Sequence, residues 1–295
     1  MDDQLALASG ELRCVIARQG AELRSFTHAG EEFIWQRDAA VWADSAPILF
    51  PVIGRLKDGG YRHAGRRFSL PIHGFARACR FAVVAQSAAS ATLALTDNDE
   101  TLAAYPFRFE LKVTFTLQER SLQVGYQVRN RGAAALLFSL GSHPGLRIPD
   151  SAGGLSDWSL LFEDGETPEC FRLDGDLLSS APSPLAFAAP GRIALSPALF
   201  DADALIFKQL RSRLVRLIDS NGRERLCMDT GGAPSLGLWA RGGAPYVCIE
   251  PWHGFDDDHA VSGELSEKPG IVSLAPGALF ASTYSLSIPA PAVAC

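Results

Sequence analysis

The sequence predicts an all-β fold, a large sandwich of antiparallel sheets, on three observations. Between Phe107 and Arg129 apolar residues alternate with polar or small ones. Phe109, Leu111, Val113, Phe115 and Leu117 face one way, and after a turn at 118–121 so do Leu122, Val124, Tyr126 and Val128. One buried face and one wet face mark a sandwich strand. No segment carries a long amphipathic helical period, and Gly-, Asn- and Pro-rich turns recur between the apolar runs. At 295 residues the chain is longer than the roughly 200–250 that one all-β domain often spans. It shows no repeat, however, so 1–295 reads as a single domain.

Taken in order, Leu12–Ala17, 21–27 and Phe33–Trp35 read as hairpin strands separated by turns at Gln19-Gly20 and His28-Ala29-Gly30. Phe81–Ala85 and Ala91–Thr96 read as another hairpin. Leu136–Leu140 is more uniformly apolar, as a central strand would be, and leads straight to His143. From 151 to 197 the chain is rich in Gly, Pro, Ser and Asp, and only Ser159–Phe162 reads as a strand. Leu199–Leu210 reads as a helical turn or two. Leu214–Ile218 and Arg225–Met228 form a hairpin through Asn221-Gly222, a pair that supplies positive φ angles. Ser235–Ala240, Tyr246–Ile249 and Leu279–Ile288 complete the strands, with Pro251 expected to end its strand or to lie at an edge.

Composition narrows the function classes. A net charge of −6 with scattered arginines argues against a nucleic-acid surface. The six cysteines are widely spaced with no Cys-x-x-Cys, so no zinc signature and no disulfide framework is expected. The acidic start Met1-Asp2-Asp3 lacks a signal-peptide pattern, and no apolar run approaches the ~18–20 residues of a membrane span. A soluble, cytoplasmic protein with neither membrane nor nucleic-acid partner is the expectation. Gly-x-Ser-x-Gly, Walker A, dinucleotide and His-Glu-x-x-His motifs are absent. Hydrolase, NTPase, dehydrogenase and zinc-protease readings therefore have no support.

The stretch Pro47–Arg77 carries too much Gly, Pro and Arg for a helix and too many apolar residues for a solvated linker. It suits backbone packed against a core on one side and a polar ligand on the other. Arg55 follows Gly54 in an apolar context, so its charge needs a partner: sugar hydroxyls, a carboxylate, a phosphate, or a structural salt bridge. His73 precedes Gly74, which permits close backbone approach by a ligand. His143 is a proton donor or acceptor near neutral pH, or a turn histidine bonded to a backbone carbonyl. Glu250 closes an apolar strand beside Trp252, where poor solvation raises a carboxyl pKa toward acid/base use; the other reading is a carboxylate leaving the sheet for solvent. Trp35, Trp42 and Trp252 suit stacking on a pyranose or plain core packing. His28 and His63 sit in polar, turn-like settings that point to solvent. Asp256-Asp257-Asp258 lacks calcium-loop spacing and reads as a solvated turn.

Four motifs resemble the aldose 1-epimerase (galactose mutarotase-like) family, and within it the LacX-like bacterial branch. They are Phe50-Pro51-Val52-Ile53-Gly54-Arg55-Leu56, Leu70-Pro71-Ile72-His73-Gly74-Phe75-Ala76-Arg77, Ser142-His143-Pro144-Gly145 and Cys248-Ile249-Glu250-Pro251-Trp252. The resemblance implies a β-supersandwich and an isomerase of carbohydrate metabolism that needs no cofactor and no metal. It implies Glu250 as the base for the C1 hydroxyl and His143 as the acid for the ring oxygen. His73 and Arg55 would hold sugar oxygens, and Asp203 matches the family's hydroxyl-binding aspartate. The expected partner is a small-molecule sugar and the expected assembly a monomer or homodimer. Gly145-Leu146 replaces the aromatic that the best-studied branch carries after His-Pro, which implies a wider or differently shaped pocket wall. Arg77 admits an alternative, since related hexose-6-phosphate mutarotases bind phosphate with arginines near this position; Arg55, Arg77 and any of Arg62, Arg66 or Arg67 are the residues this reading would use. A non-catalytic sugar-binding protein of the same fold is the other alternative.

Overall fold

The computed structural model describes residues 3–149 and 154–290. Among them three main sheets account for most of the chain, and every strand pairing within these sheets is antiparallel. Phe109–Gln118 and Ser121–Asn130 pair along their full ten-residue lengths, Phe109 opposite Asn130. Their alternate residues are buried as the pattern requires, and they lie within a nine-stranded sheet. A second sheet runs in the order Cys170–Phe171, Leu205–Lys208, Ser235–Trp239, Tyr246–His253, Leu140–Ser142, Ile48–Leu49, with Gly145–Arg147 also paired to Tyr246–His253. The first residues form a four-stranded meander, Gln4–Ser9 to Glu31–Glu32. One continuous apolar core joins all three, with Leu23, Phe115 and Ile249 among its members.

The strand Tyr246–His253 determines where the site falls. Side chains alternate across a strand, and here both faces are covered. Val247 and Ile249 enter the main core. Tyr246 and Cys248 pack with Trp35, Trp42 and Trp239 on the other face. Trp252 sits with Leu49, Ile53, Leu178 and Ile206. Glu250, between Cys248 and Trp252 on that second face, is 1% exposed. A one-residue slip would exchange the two faces and put Glu250 in the core.

Several expectations need correction. Pro251 neither ends its strand nor lies at an edge: it faces Leu236 on one side. On the other side the neighbouring strand is already interrupted, between Gly145↔Cys248 and Gly141↔Trp252, and this break accommodates proline within the sheet. Leu199–Leu210 is a 3-10 turn at Pro197–Phe200 followed by the strand Leu205–Lys208. Its apolar run, buried on both faces, has a period that fits either structure. The apolar stretch 136–140 divides, Leu136–Phe138 pairing with Val272–Leu274 and Leu140–Ser142 joining the second sheet. At 221–222 only Gly222 has positive φ, because both Asn221 and Arg223 donate their N–H groups to the Asp219 carboxylate and shape the turn. Gln4–Ser9 and the short helix Asp99–Ala104, capped by Asn98 and Thr101, were not expected. His28 bonds Arg120 at 2.9 Å and the His63 ring lies 4.6 Å from Phe107, so both are half-buried rather than solvated.

Candidate active site

The segment 47–77 folds back on itself to make one wall of a cleft. His73 donates its backbone N–H to the Gly54 carbonyl at 2.9 Å, and its own carbonyl accepts from the Phe50 N–H. Its ring Nδ1 accepts the Gly54 N–H at 3.0 Å. That leaves Nε2 as the protonated nitrogen of a neutral ring. Burial lowers the His73 pKa to about 3, and the charges of Arg77 and Arg55 act in the same direction.

Gly54 has φ +66, and a Cβ there would lie 2.0 Å from the Asp256 side chain. The close approach has a cause. Asp256 accepts the Arg55 N–H at 2.9 Å, Asp257 accepts the Lys57 N–H at 2.9 Å, and the Asp257 N–H returns to the Arg55 carbonyl. Asp256 and Asp257 are almost fully buried, which overturns the reading of 256–258 as a solvated turn. Lys268, itself buried, bonds Asp257 at 2.6 Å and makes that burial tolerable.

Glu250 and His143 meet at the bottom of the cleft. His143 is fixed by its backbone N–H to the Pro47 carbonyl at 3.1 Å and by rings on two sides, Trp42 at 5.0 Å and Trp239 at 5.6 Å. Its Nε2 lies 3.4 Å from Glu250 Oε1. His143 Nδ1 and Glu250 Oε2 are both buried without a well-formed hydrogen bond. Burial pushes the Glu250 carboxyl well above the ordinary range, and the negative charge of Asp256 pushes the same way. Burial also drives His143 well below its ordinary value, with His73 adding to it. Both shifts favour the uncharged forms, a carboxyl beside a neutral imidazole.

The same cleft, about 220 Å³, is lined by Arg55, His73, Arg77, His143, Asp203, Glu250 and Trp252, and of the other tryptophans read from sequence Trp42 lines it while Trp35 packs against Tyr246 instead. Trp239 and Asp256 line it as well. Asp256 and Trp239 went unnoticed as site residues because nothing local marks them; their partners are distant in the chain. Trp252 lies flat between two glycines: a Cβ at Gly237 would meet its ring at 2.5 Å and one at Gly141 at 2.6 Å. Arg55 has carboxylates on both sides, Asp176 at 3.6 Å and Asp203 at 3.7 Å. Arg77 is paired with Asp44. The wall beside Gly145 is not open: a Cβ there would lie 2.7 Å from Trp42, which fills the space with an aromatic ring from another part of the chain.

These features define a protein of galactose mutarotase-like fold with a carboxyl–imidazole pair in an open cleft. Residues 3–287 match the aldose 1-epimerase family model, and the chain belongs to that family. It is 30% identical over 270 residues to the LacX protein of Lactococcus lactis subsp. lactis, covering 88% of this chain and 90% of that one. The structure of a galactose mutarotase related enzyme from Lactobacillus acidophilus superposes with a TM-score of 0.92 at 34% identity, covering 97% of both chains. A galactose mutarotase-like protein from Lactobacillus casei superposes at 0.91 with 27% identity, covering 97% of this chain and all of that one. No helix among the described residues is long and apolar enough to cross a membrane.

Proposed function

We propose that this chain is an aldose 1-epimerase, interconverting the α and β anomers of a free sugar by opening and reclosing its ring. The observation that carries the reading is the 3.4 Å contact between His143 Nε2 and Glu250 Oε1 at the bottom of an accessible cleft. A pyranose need not fit between an acid and a base. The two reacting oxygens, the C1 hydroxyl and the ring oxygen, are bonded to one carbon, so adjacent catalytic groups reach both.

The carboxyl proton moves from Glu250 to His143 when the sugar's polar oxygens enter, giving a carboxylate beside an imidazolium. Glu250 then takes the proton of the C1 hydroxyl, the C1–O double bond forms and the bond from C1 to the ring oxygen breaks. His143 gives its proton to that ring oxygen. Rotation about C1–C2 presents the other carbonyl face, and the same steps in reverse close the ring. Each group contributes roughly 10²–10⁴-fold. His73 Nε2–H, Arg55 and Asp203 supply donors and an acceptor for the remaining oxygens, and the Trp252 ring offers an apolar face.

The arginines favour an uncharged sugar over a hexose 6-phosphate. Arg55 and Arg77 already face carboxylates. Arg62 pairs with Glu264, Arg67 donates to the Asp58 carbonyl, and Arg66 lies over the Phe68 ring; none of these three lines the cleft. A phosphate dianion would have to displace those partners. Polarimetry and anomer-exchange NMR on fresh α-glucose, α-galactose, other aldoses and glucose 6-phosphate test the proposal. Acceleration of a free aldose is expected. No acceleration across the panel sinks the function, and a clear preference for the phosphate ester sinks the choice of substrate.

A further inference from the structure

Cys248 has no part in the ring-opening scheme, yet it lies two residues before Glu250 on the same strand face and is completely buried. One ligand atom each from His143, Cys248 and Glu250 come within 4.8 Å of one another. Imidazole, thiolate and carboxylate are the donor types of zinc sites with three protein ligands, which leave a fourth position open. Zinc bonds of roughly 2.0–2.3 Å place tetrahedral ligands about 3.3–3.7 Å apart. The His143–Glu250 contact at 3.4 Å already has that spacing, and the thiol needs to close by about an ångström, within the reach of side-chain rotation.

Two further features point to a cation here. Glu250 Oε2, on a residue 1% exposed, and His143 Nδ1 are buried without a well-formed hydrogen bond, the Trp252 indole beside the carboxyl and the backbone of His143 itself being near enough to act on them. Charge also balances: Zn²⁺ with one thiolate, one carboxylate and a neutral imidazole sums to zero, the state a buried site tolerates best. Soft and borderline ligands select zinc over magnesium or calcium.

We propose that His143, Cys248 and Glu250 form an inhibitory zinc site at the bottom of the cleft, occupied in competition with the sugar. As Zn²⁺ enters, the Cys248 thiol proton and the Glu250 carboxyl proton leave to water, and the metal takes the vacated lone pairs. Zinc therefore removes both the acid and the base. The inhibition rests on the epimerase reading, whereas metal binding itself does not.

Co²⁺ titration of the intact protein reports the site independently of turnover, because a cobalt–thiolate bond gives a near-ultraviolet charge-transfer band and tetrahedral d–d bands. We expect both in the wild-type chain and loss of the charge-transfer band in Cys248→Ala. Zn²⁺ should slow mutarotation, with recovery on adding a chelator. Cys248→Ala should keep its basal rate and need at least roughly tenfold more Zn²⁺ for the same inhibition. If the alanine variant does not fold, Cys248→Ser, close to cysteine in volume, replaces it. No thiolate–cobalt band in the wild type, or a band that persists without Cys248, overturns the site. A band that requires Cys248 in a protein inactive on every sugar upholds the site and removes only the epimerase reading.

Discussion

His143 Nε2 lies 3.4 Å from Glu250 Oε1: Glu250 stands within the strand Tyr246–His253, and His143 lies in the break between the two short strands, Leu140–Ser142 and Gly145–Arg147, that pair beside it. At that distance the two groups titrate as a unit. Gaining a second proton at low pH removes the base, and losing the carboxyl proton at high pH removes the acid. The log of kcat/KM against pH should therefore be bell-shaped, with both limbs belonging to the pair. Stopped-flow polarimetry from pH 5 to 9 measures it. A flat profile would separate the pair from the chemistry.

Glu250→Gln keeps the shape of the side chain and removes its basicity. Loss of roughly 10²–10⁴-fold in kcat is expected, with sugar binding retained and an unchanged circular dichroism spectrum. Calorimetry on the variant separates binding from turnover. A variant that binds and still turns over at the wild-type rate would make the cleft a recognition site and nothing more.

Much of the architecture was legible because alternation is a local signal: Phe109–Gln118 and Ser121–Asn130 are paired as their apolar residues dictate. The cleft was legible through four motifs, each with glycine or proline beside a polar group, and these come together in space. What escaped depends on contacts distant in sequence. The acidic run 256–258 reads as solvated until Lys268 and the N–H groups of Arg55 and Lys57 are seen to satisfy it. Gly145 suggests an open wall until Trp42 is found in the space.

Gly54 combines positive φ with a neighbour that leaves no room for a methyl group. Gly54→Ala should cost about 1–3 kcal/mol from the backbone alone, and displacing Asp256 adds to that. Because Asp256 and His73 both bond this segment, KM should rise together with the loss of stability. Urea unfolding and Michaelis kinetics on the variant test the coupling; unchanged kinetics would mean that the wall is not set by this contact.

Lys268 and Asp257 form an ion pair with both side chains almost wholly buried. Lys268→Met leaves the carboxylate without its cation, and destabilisation of about 3–5 kcal/mol is expected. Replacing both, as Lys268→Met with Asp257→Leu, still strands the Lys57 N–H that the carboxylate accepts, so the double variant should recover only part of the loss. Full recovery in urea titrations would show that the hydrogen bond to Lys57 carries no weight.

His73 sets a pH dependence of stability whose sign follows from its position. Its folded pKa, about 3, lies below the unfolded value near 6.5. Between those values the unfolded chain binds more protons than the native one, so acid favours unfolding and stability falls as pH drops below about 6.5. The cause is the ring nitrogen that accepts the Gly54 N–H while the rest of the ring is recessed beside two arginines. Asparagine places an amide oxygen near the position of Nδ1 and does not titrate. Urea midpoints for His73→Asn against wild type, measured from pH 7 to 4, should show a shallower acid slope in the variant. The difference between the two proteins isolates this residue from Glu22, Glu250 and Asp256, whose raised pKa values act with the opposite sign. Parallel curves would mean that the native His73 ring titrates as it does in the unfolded chain, and the lowering of its pKa by burial would fail.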